Sequence, residues 1–261
     1  MLNLPIPIPP GTSYVRIPRS KSAAMRLILE ITQRGSRYWT GGTISTQKAM
    51  RLSEKFAQRY GTDARAGKRE WDKAHGRANV TLIMYPEDDQ ALTPLRWWLL
   101  ATPGSGAVHQ EEQLKDTWDK HQRLTWGDQY ELVHLQRERR YGGGRRWTWR
   151  LTEARYAELA AAMRQLANRP GTPAERTDDL ARLIEAIRHM PGFHGVRMQQ
   201  MHLYAIGKAC WARTHCGEYN GWPTKTPYLD KREPVYHRPH HLTLDVLVRV
   251  YERRVAAVAA L

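Results

Sequence analysis

Cys210, His215 and Cys216 fall within seven consecutive residues, and His202 stands two helical turns before Cys210. The stretch YHRPHH adds His237, His240 and His241. Zinc is held by Cys and His in sets of four, so these residues are the first place to look for chemistry. Their spacing is not that of a CxxC pair, and a free cysteine is ordinarily a small buried hydrophobe. The expectation is therefore no metal and no cofactor. The doublet His240-His241 also lacks the histidine–hydrophobic–histidine strand pattern of a relaxase. Carboxylates cluster twice, in PEDDQ (86–90) and EWDK (70–73). The first falls on an expected turn and the second in a basic connection, so neither makes a persuasive metal-nuclease site. No Walker loop, GxGxxG or GxSxG occurs. A metal-independent ribonuclease would place His, Tyr or Lys beside bound RNA. His134, His194, His202 and Tyr38 are available for that role, and no spacing singles one out.

Binding chemistry is better marked. The stretch RERRYGGGRRWTWR (137–150) holds six arginines, three consecutive glycines, two tryptophans and one acid, Glu138. Apolar strand patterns flank it, which reads as a β-hairpin with a thin cationic tip. Arginine forms bidentate bonds to phosphate and stacks on bases, and such a hairpin suits a groove or a phosphate backbone. Arg137, Arg139, Arg140, Arg145 and Arg146 are the expected contacts. Two further basic segments add Arg16, Arg19, Lys21 and Arg37 (from 16–37), with the adjoining Tyr38, and Lys68, Arg69 and Arg77 (from 65–77). Residues 87–120 instead hold seven acids and three bases. This segregation predicts one binding face and one solvent face.

The elements that would position these residues follow from periodicity. Helices are expected over 22–33, with Met25, Ile28, Leu29 and Thr32 on one face, and over 46–61, ended by Gly61. A strand or tight hairpin with Gly41-Gly42 as turn or bulge lies between them. Residues 64–78 read as a polar connection and 108–123 as a helix. Strands are expected at 79–86, 95–102, 129–136 and 146–152, forming one mainly antiparallel sheet with helices on one face. Trp147 and Trp149 share a face of the last strand, which pairs of apolar residues usually turn inward. Beyond Leu151 the texture is helical: 152–169, capped by Thr152, then 177–190, 195–215 and 242–261, with a polar loop over 216–241. The fold class is α+β, divided into an α/β nucleic-acid-binding half, 1–151, and a helical half, 152–261.

Composition sets the outer bounds. The chain has 261 residues, 41% of them hydrophobic, and a formal net charge of +15. That is enough apolar content for a packed core, and the charge excess calls for a polyanionic partner. No apolar run approaches the ~18–20 residues needed to span a bilayer. The Pro-rich start, MLNLPIPIPP, lacks the features of a signal peptide. Two cysteines do not make a disulfide scaffold. The expectation is a cytoplasmic protein with no membrane partner. Ten Trp and twelve Tyr against two Phe favour side chains that stack on bases, although a Trp-built core would use them equally.

The segments RYWTGGTI, RWWLLAT with the following HQEEQLKD, YELVHL and RWTWRLT resemble uncharacterised proteins of bacterial plasmids and integrative conjugative elements, over roughly residues 37–215. The resemblance implies a mobile-element setting and a nucleic-acid task such as replication, transfer or defence. It supplies no catalytic motif.

The reading is a non-catalytic nucleic-acid-binding protein of a mobile genetic element, with DNA and RNA both open. One alternative is a metal-independent endoribonuclease or an RNA-binding subunit of a ribonucleoprotein complex of the CRISPR-effector kind. A second is an assembly protein that docks a partner protein through its helical half.

Overall fold

The computed structural model describes residues 15–87, 94–136, 143–169, 173–229, 233–236 and 242–259. It is α+β, with helices and two antiparallel sheets. Two compact units divide the chain, Met1–Asp116 with Glu233–Leu261 and Thr117–Arg232. They part elsewhere than at Leu151, where the sequence texture changes. The hairpin belongs with the helices that follow it, and the last helix returns to the first unit. No helix among the described residues is long and apolar enough to cross a membrane.

The first unit contains α1 (Lys21–Gln33), β1 (Tyr38–Ile44), α2 (Thr46–Tyr60), α3 (Ala66–Ala74), β2 (Val80–Pro86), β3 (Leu95–Ala101), α4 (Ala107–Glu111), β4 (Lys115–Asp116) and the last helix of the chain, which is α8 (Leu244–Ala259). Its sheet runs β2-β3-β1-β4. Ser20 starts α1 by accepting the Ala23 N–H, and Met25, Ile28 and Thr32 are buried as the periodicity predicts. Gly61 ends α2 at φ +64, a left-handed conformation that glycine adopts without steric cost.

Both sheet faces are covered, not one. The register sets Leu82 opposite Leu99 and Ile83 opposite Trp98, so alternation sends these pairs to opposite faces, and all four are buried. Phe56 of α2 and Leu244, Leu247 and Val248 of α8 join the Leu82 and Leu99 side in one apolar cluster. Gly41 and Gly42 make neither turn nor bulge. They stand in mid-strand opposite Trp98 and Trp97. A Cβ on Gly41 would meet the Trp97 carbonyl at 2.7 Å, and one on Gly42 would touch the Trp97 ring at 3.5 Å. The absent side chains make room for tryptophan on the neighbouring strand.

Two other expectations change. The stretch 108–123 is helical only in α4, because Leu114 and Trp118 are too few apolar residues for a helical stripe. Residues 64–78, read as a connection, contain α3. That helix turns charged residues inward: Asp72 is its one buried residue, bound by Lys68, so hydrophobic periodicity overlooks it.

The second unit contains β5 (Thr125–Trp126), β6 (Tyr130–Gln136), β7 (Arg145–Leu151), α5 (Glu153–Ala167), α6 (Pro173–Arg188) and α7 (His194–Thr214). Its strands form a separate sheet, β5-β6-β7, so the single sheet expected from four similar strands is two. Alternation tells which residues share a face but not which strand is the neighbour. Thr152 caps α5 by accepting the Arg155 N–H at 3.3 Å. Trp149 is wholly buried, as expected of the core, whereas Trp147 is half-buried.

Trp149→Ala should therefore lower unfolding free energy by about 3 kcal/mol or more, and Trp147→Ala by clearly less; urea unfolding measures both. Burial pushes the Tyr130 and Tyr204 hydroxyls up to about 12, against ~10 in an unfolded chain. The unfolded state thus releases its protons first, so stability is intact below pH ~10 and falls as pH rises toward 12. Urea unfolding between pH 9 and 12 should record the fall, and Tyr130→Phe should make it shallower.

Candidate nucleic-acid interface

In the β6–β7 register Leu132 faces Trp149, His134 faces Trp147 and Gln136 faces Arg145. These residues form one face of the hairpin; Glu131, Val133, Arg146, Thr148 and Arg150 form the other. The free edge of β7 is closed by α7. Gly195 donates its N–H to Thr148 Oγ1 at 3.1 Å. A Cβ at Gly195 would sit 2.5 Å from the Trp149 carbonyl, so glycine permits the approach. The Gln199 amide then accepts from the Leu151 N–H at 2.7 Å and donates to its carbonyl at 3.3 Å, acting as one residue of an added strand.

The charges on this sheet are unequal. Glu131 is held by Arg150 at 2.6 Å and Arg123 at 3.1 Å. Arg145 and Arg146 are exposed and have no acidic partner among the described residues. They point to opposite faces of β7 at the end that leads into the glycine-rich loop. Arg137, Arg139 and Arg140 lie outside the described residues. On the Arg145 face, His134 stacks on Trp147 with centroids 4.9 Å apart and planes 21° apart. Trp118 meets both edge-to-face, at 4.8 Å and 5.4 Å, and is 56% exposed.

The basic residues of the first unit have varied roles. Arg69 is half-buried, and its guanidinium donates to the Thr62 and Ala64 carbonyls and to Thr81 Oγ1. Desolvation lowers its pKa. It braces α3 against β2. Arg37 chelates Asp116, with contacts of 2.6 and 3.0 Å, and lies over Tyr38, which itself packs edge-on against His109. Arg19 pairs with Glu233 at 2.8 Å. Arg16 is exposed, with Cζ 5.7 Å from the Tyr236 ring. Lys21 occupies the first turn of α1. Lys68 and Arg77 come together on Trp71, at 5.1 and 4.9 Å from its ring, and His75 stacks on the same ring at 4.0 Å.

The described acids of the acid-rich segment are mostly paired with bases. Glu87 bonds Arg96, Glu111 pairs with Arg59 at 2.9 Å, Glu112 with Lys55 at 3.8 Å, and Asp116 with Arg37. Glu111 and Glu112 also accept from the Tyr60 hydroxyl, which burial and these bonds push well above the ordinary phenol range. Charges segregated along the chain are thus interleaved in space.

Among the candidates for chemistry, His134 lies within the aromatic cluster. His202 shares a hydrogen bond with Tyr156 at 2.5 Å, and His194 is exposed at the start of α7. Cys210 is buried and Cys216 exposed. Among the described residues no group of three or more His, Cys, Asp or Glu is placed to hold a metal. His237, His240, His241, Asp88 and Asp89 lie outside the described residues. Trp118 was hidden from sequence reasoning because it falls in a stretch read as helix. The His134–Trp147 pairing was implicit in the hairpin register. No protein-family model, curated protein or solved structure matches the chain.

Arg69→Ala should destabilise the protein by about 2 kcal/mol, since it leaves carbonyls without a charged donor. Its affinity for nucleic acid, measured on the folded variant by fluorescence anisotropy, should stay within twofold of the parent.

Proposed function

We propose that the protein is a non-catalytic nucleic-acid-binding protein that grips the phosphate backbone through the β6–β7 hairpin. The carrying observation is the pair Arg145 and Arg146, both exposed and without an acidic partner among the described residues. Glu131, the one acid on β6 and β7, is already neutralised by two other arginines. A guanidinium without a carboxylate partner is available for bidentate bonds to phosphate oxygens. The overall charge of +15 supplies the long-range attraction that brings a polyanion in.

Arg77, exposed over Trp71, adds a second cationic position, and Arg16, exposed at its isolated bridge to Thr243, adds a third. Arg19, Arg37 and Lys68 already have carboxylate partners and have a smaller part. Arg69 is a brace. The setting implied by the resemblance, a bacterial plasmid or integrative conjugative element, belongs to the same proposal.

Phosphate contacts release counterions, and each contributes about −0.9 (duplex) or −0.7 (single strand) to the log–log salt slope. Arg145→Ala/Arg146→Ala should flatten that slope by about 1.5 units and weaken binding to unrelated sequences equally. Surface changes of this kind usually keep stability within about 0.5 kcal/mol. A folded double variant with the parent's affinity and slope would overturn the reading. Labelled RNA incubated with the parent protein in EDTA should remain intact.

A further inference from the structure

Trp39, Trp98, Trp126 and Trp149 are 4%, 3%, 2% and 0% exposed. This chain readily buries tryptophan, yet Trp118 is left 56% exposed beside a half-buried Trp147. Keeping so much indole surface in water forgoes about 25 cal/mol per Å², a cost that a binding partner removes. We propose that Trp118, His134 and Trp147 form a stacking site for an unpaired base of a single-stranded nucleic acid, with Arg145 placed to take the adjoining phosphate. The inference rests on the nucleic-acid-binding reading and adds to it the form of the ligand.

Geometry selects this cluster over the other exposed tryptophan. Trp71 is 45% exposed and stacks on His75, as Trp147 does on His134, but Lys68 and Arg77 lie over its ring. In the hairpin cluster the cation stands beside the rings. Arg145 and Trp147 are two residues apart on one face of β7, which separates them by about 7 Å. A nucleotide has the same layout, a flat base one sugar away from its phosphate.

Charge selects nucleic acid over a protein segment. Glu131 lies on the opposite face of the hairpin under two arginines, and the Asp119 carboxylate next to Trp118 accepts the His121 N–H at 2.9 Å. The face is thus aromatic and cationic. A base in a duplex has its faces covered by neighbouring pairs; an unpaired base offers one to an aromatic ring.

The test compares a 12-nucleotide single-stranded DNA, the RNA of the same sequence and the corresponding DNA duplex, each with the full chain at two salt concentrations. Trp118→Ala should weaken single-strand binding by about 5- to 150-fold, the range of one lost stack. Duplex affinity and both salt slopes should be unchanged, and Trp118→Phe should restore most of the loss. With the parent protein, an oligonucleotide of abasic sites keeps the phosphates and removes the bases; it should bind weaker by a similar factor. That arm does not depend on any variant folding. Loss confined to the DNA or the RNA strand identifies which one the site takes. Equal losses on single strand and duplex, or abasic binding equal to the parent oligonucleotide, would overturn the inference. If the Arg145→Ala/Arg146→Ala slope change is nevertheless observed, the broader reading stands without it. Absence of binding to all three nucleic acids would overturn both.

Discussion

The close approach of α7 to β7 sets the geometry on which the hairpin depends. It is possible because Gly195 has no Cβ to meet the Trp149 carbonyl. Once the helix is that near, Gly195 bonds Thr148 and Gln199 takes both backbone groups of Leu151. An edge strand exposes a row of unpaired donors and acceptors, and here the helix satisfies part of that row. With Thr148 on the helix side, alternation sends Arg145, Trp147 and Trp149 to the other face. One glycine thereby helps decide that Trp149 is core and that Arg145 and Trp147 share the candidate binding face.

Acids in this protein serve mostly to hold arginine in place. Asp116 chelates Arg37, Glu233 holds Arg19, and Glu131 joins Arg123 to Arg150. A chain with such an excess of cations runs out of carboxylates before it runs out of guanidinium groups. Those left over, Arg145 and Arg146 among them, have no acidic partner among the described residues. Both are exposed, at the end of β7 that leads into the glycine-rich stretch.

Tryptophan takes two environments for the same reason. Its indole is the largest apolar surface available, so Trp149 and Trp98 anchor the interiors of their sheets. The same surface, left partly in water beside arginine, is the side chain best suited to a flat ligand. Trp118 and Trp71 therefore differ from the buried set in neighbourhood more than in chemistry.

The sequence by itself determined much of the local structure. The stripe Met25, Ile28 and Thr32 predicts α1, Gly61 ends α2, Thr152 caps α5, and alternating Trp147 and Trp149 mark β7. These follow from interactions within a few residues, so they survive without knowledge of the rest of the chain. The cationic character of the hairpin is likewise legible in RERRYGGGRRWTWR. Only the tertiary structure decided that four similar strands enter two sheets, that Gly41 and Gly42 sit under tryptophan in mid-strand, and that α3 forms around Asp72. It also decided that Arg69 is a brace while Arg145 is exposed, and that Trp118 reaches His134 and Trp147. In each case the deciding partner is distant along the chain. Residue type and period carry burial preference and handedness of exposure, but they do not carry the identity of a long-range neighbour.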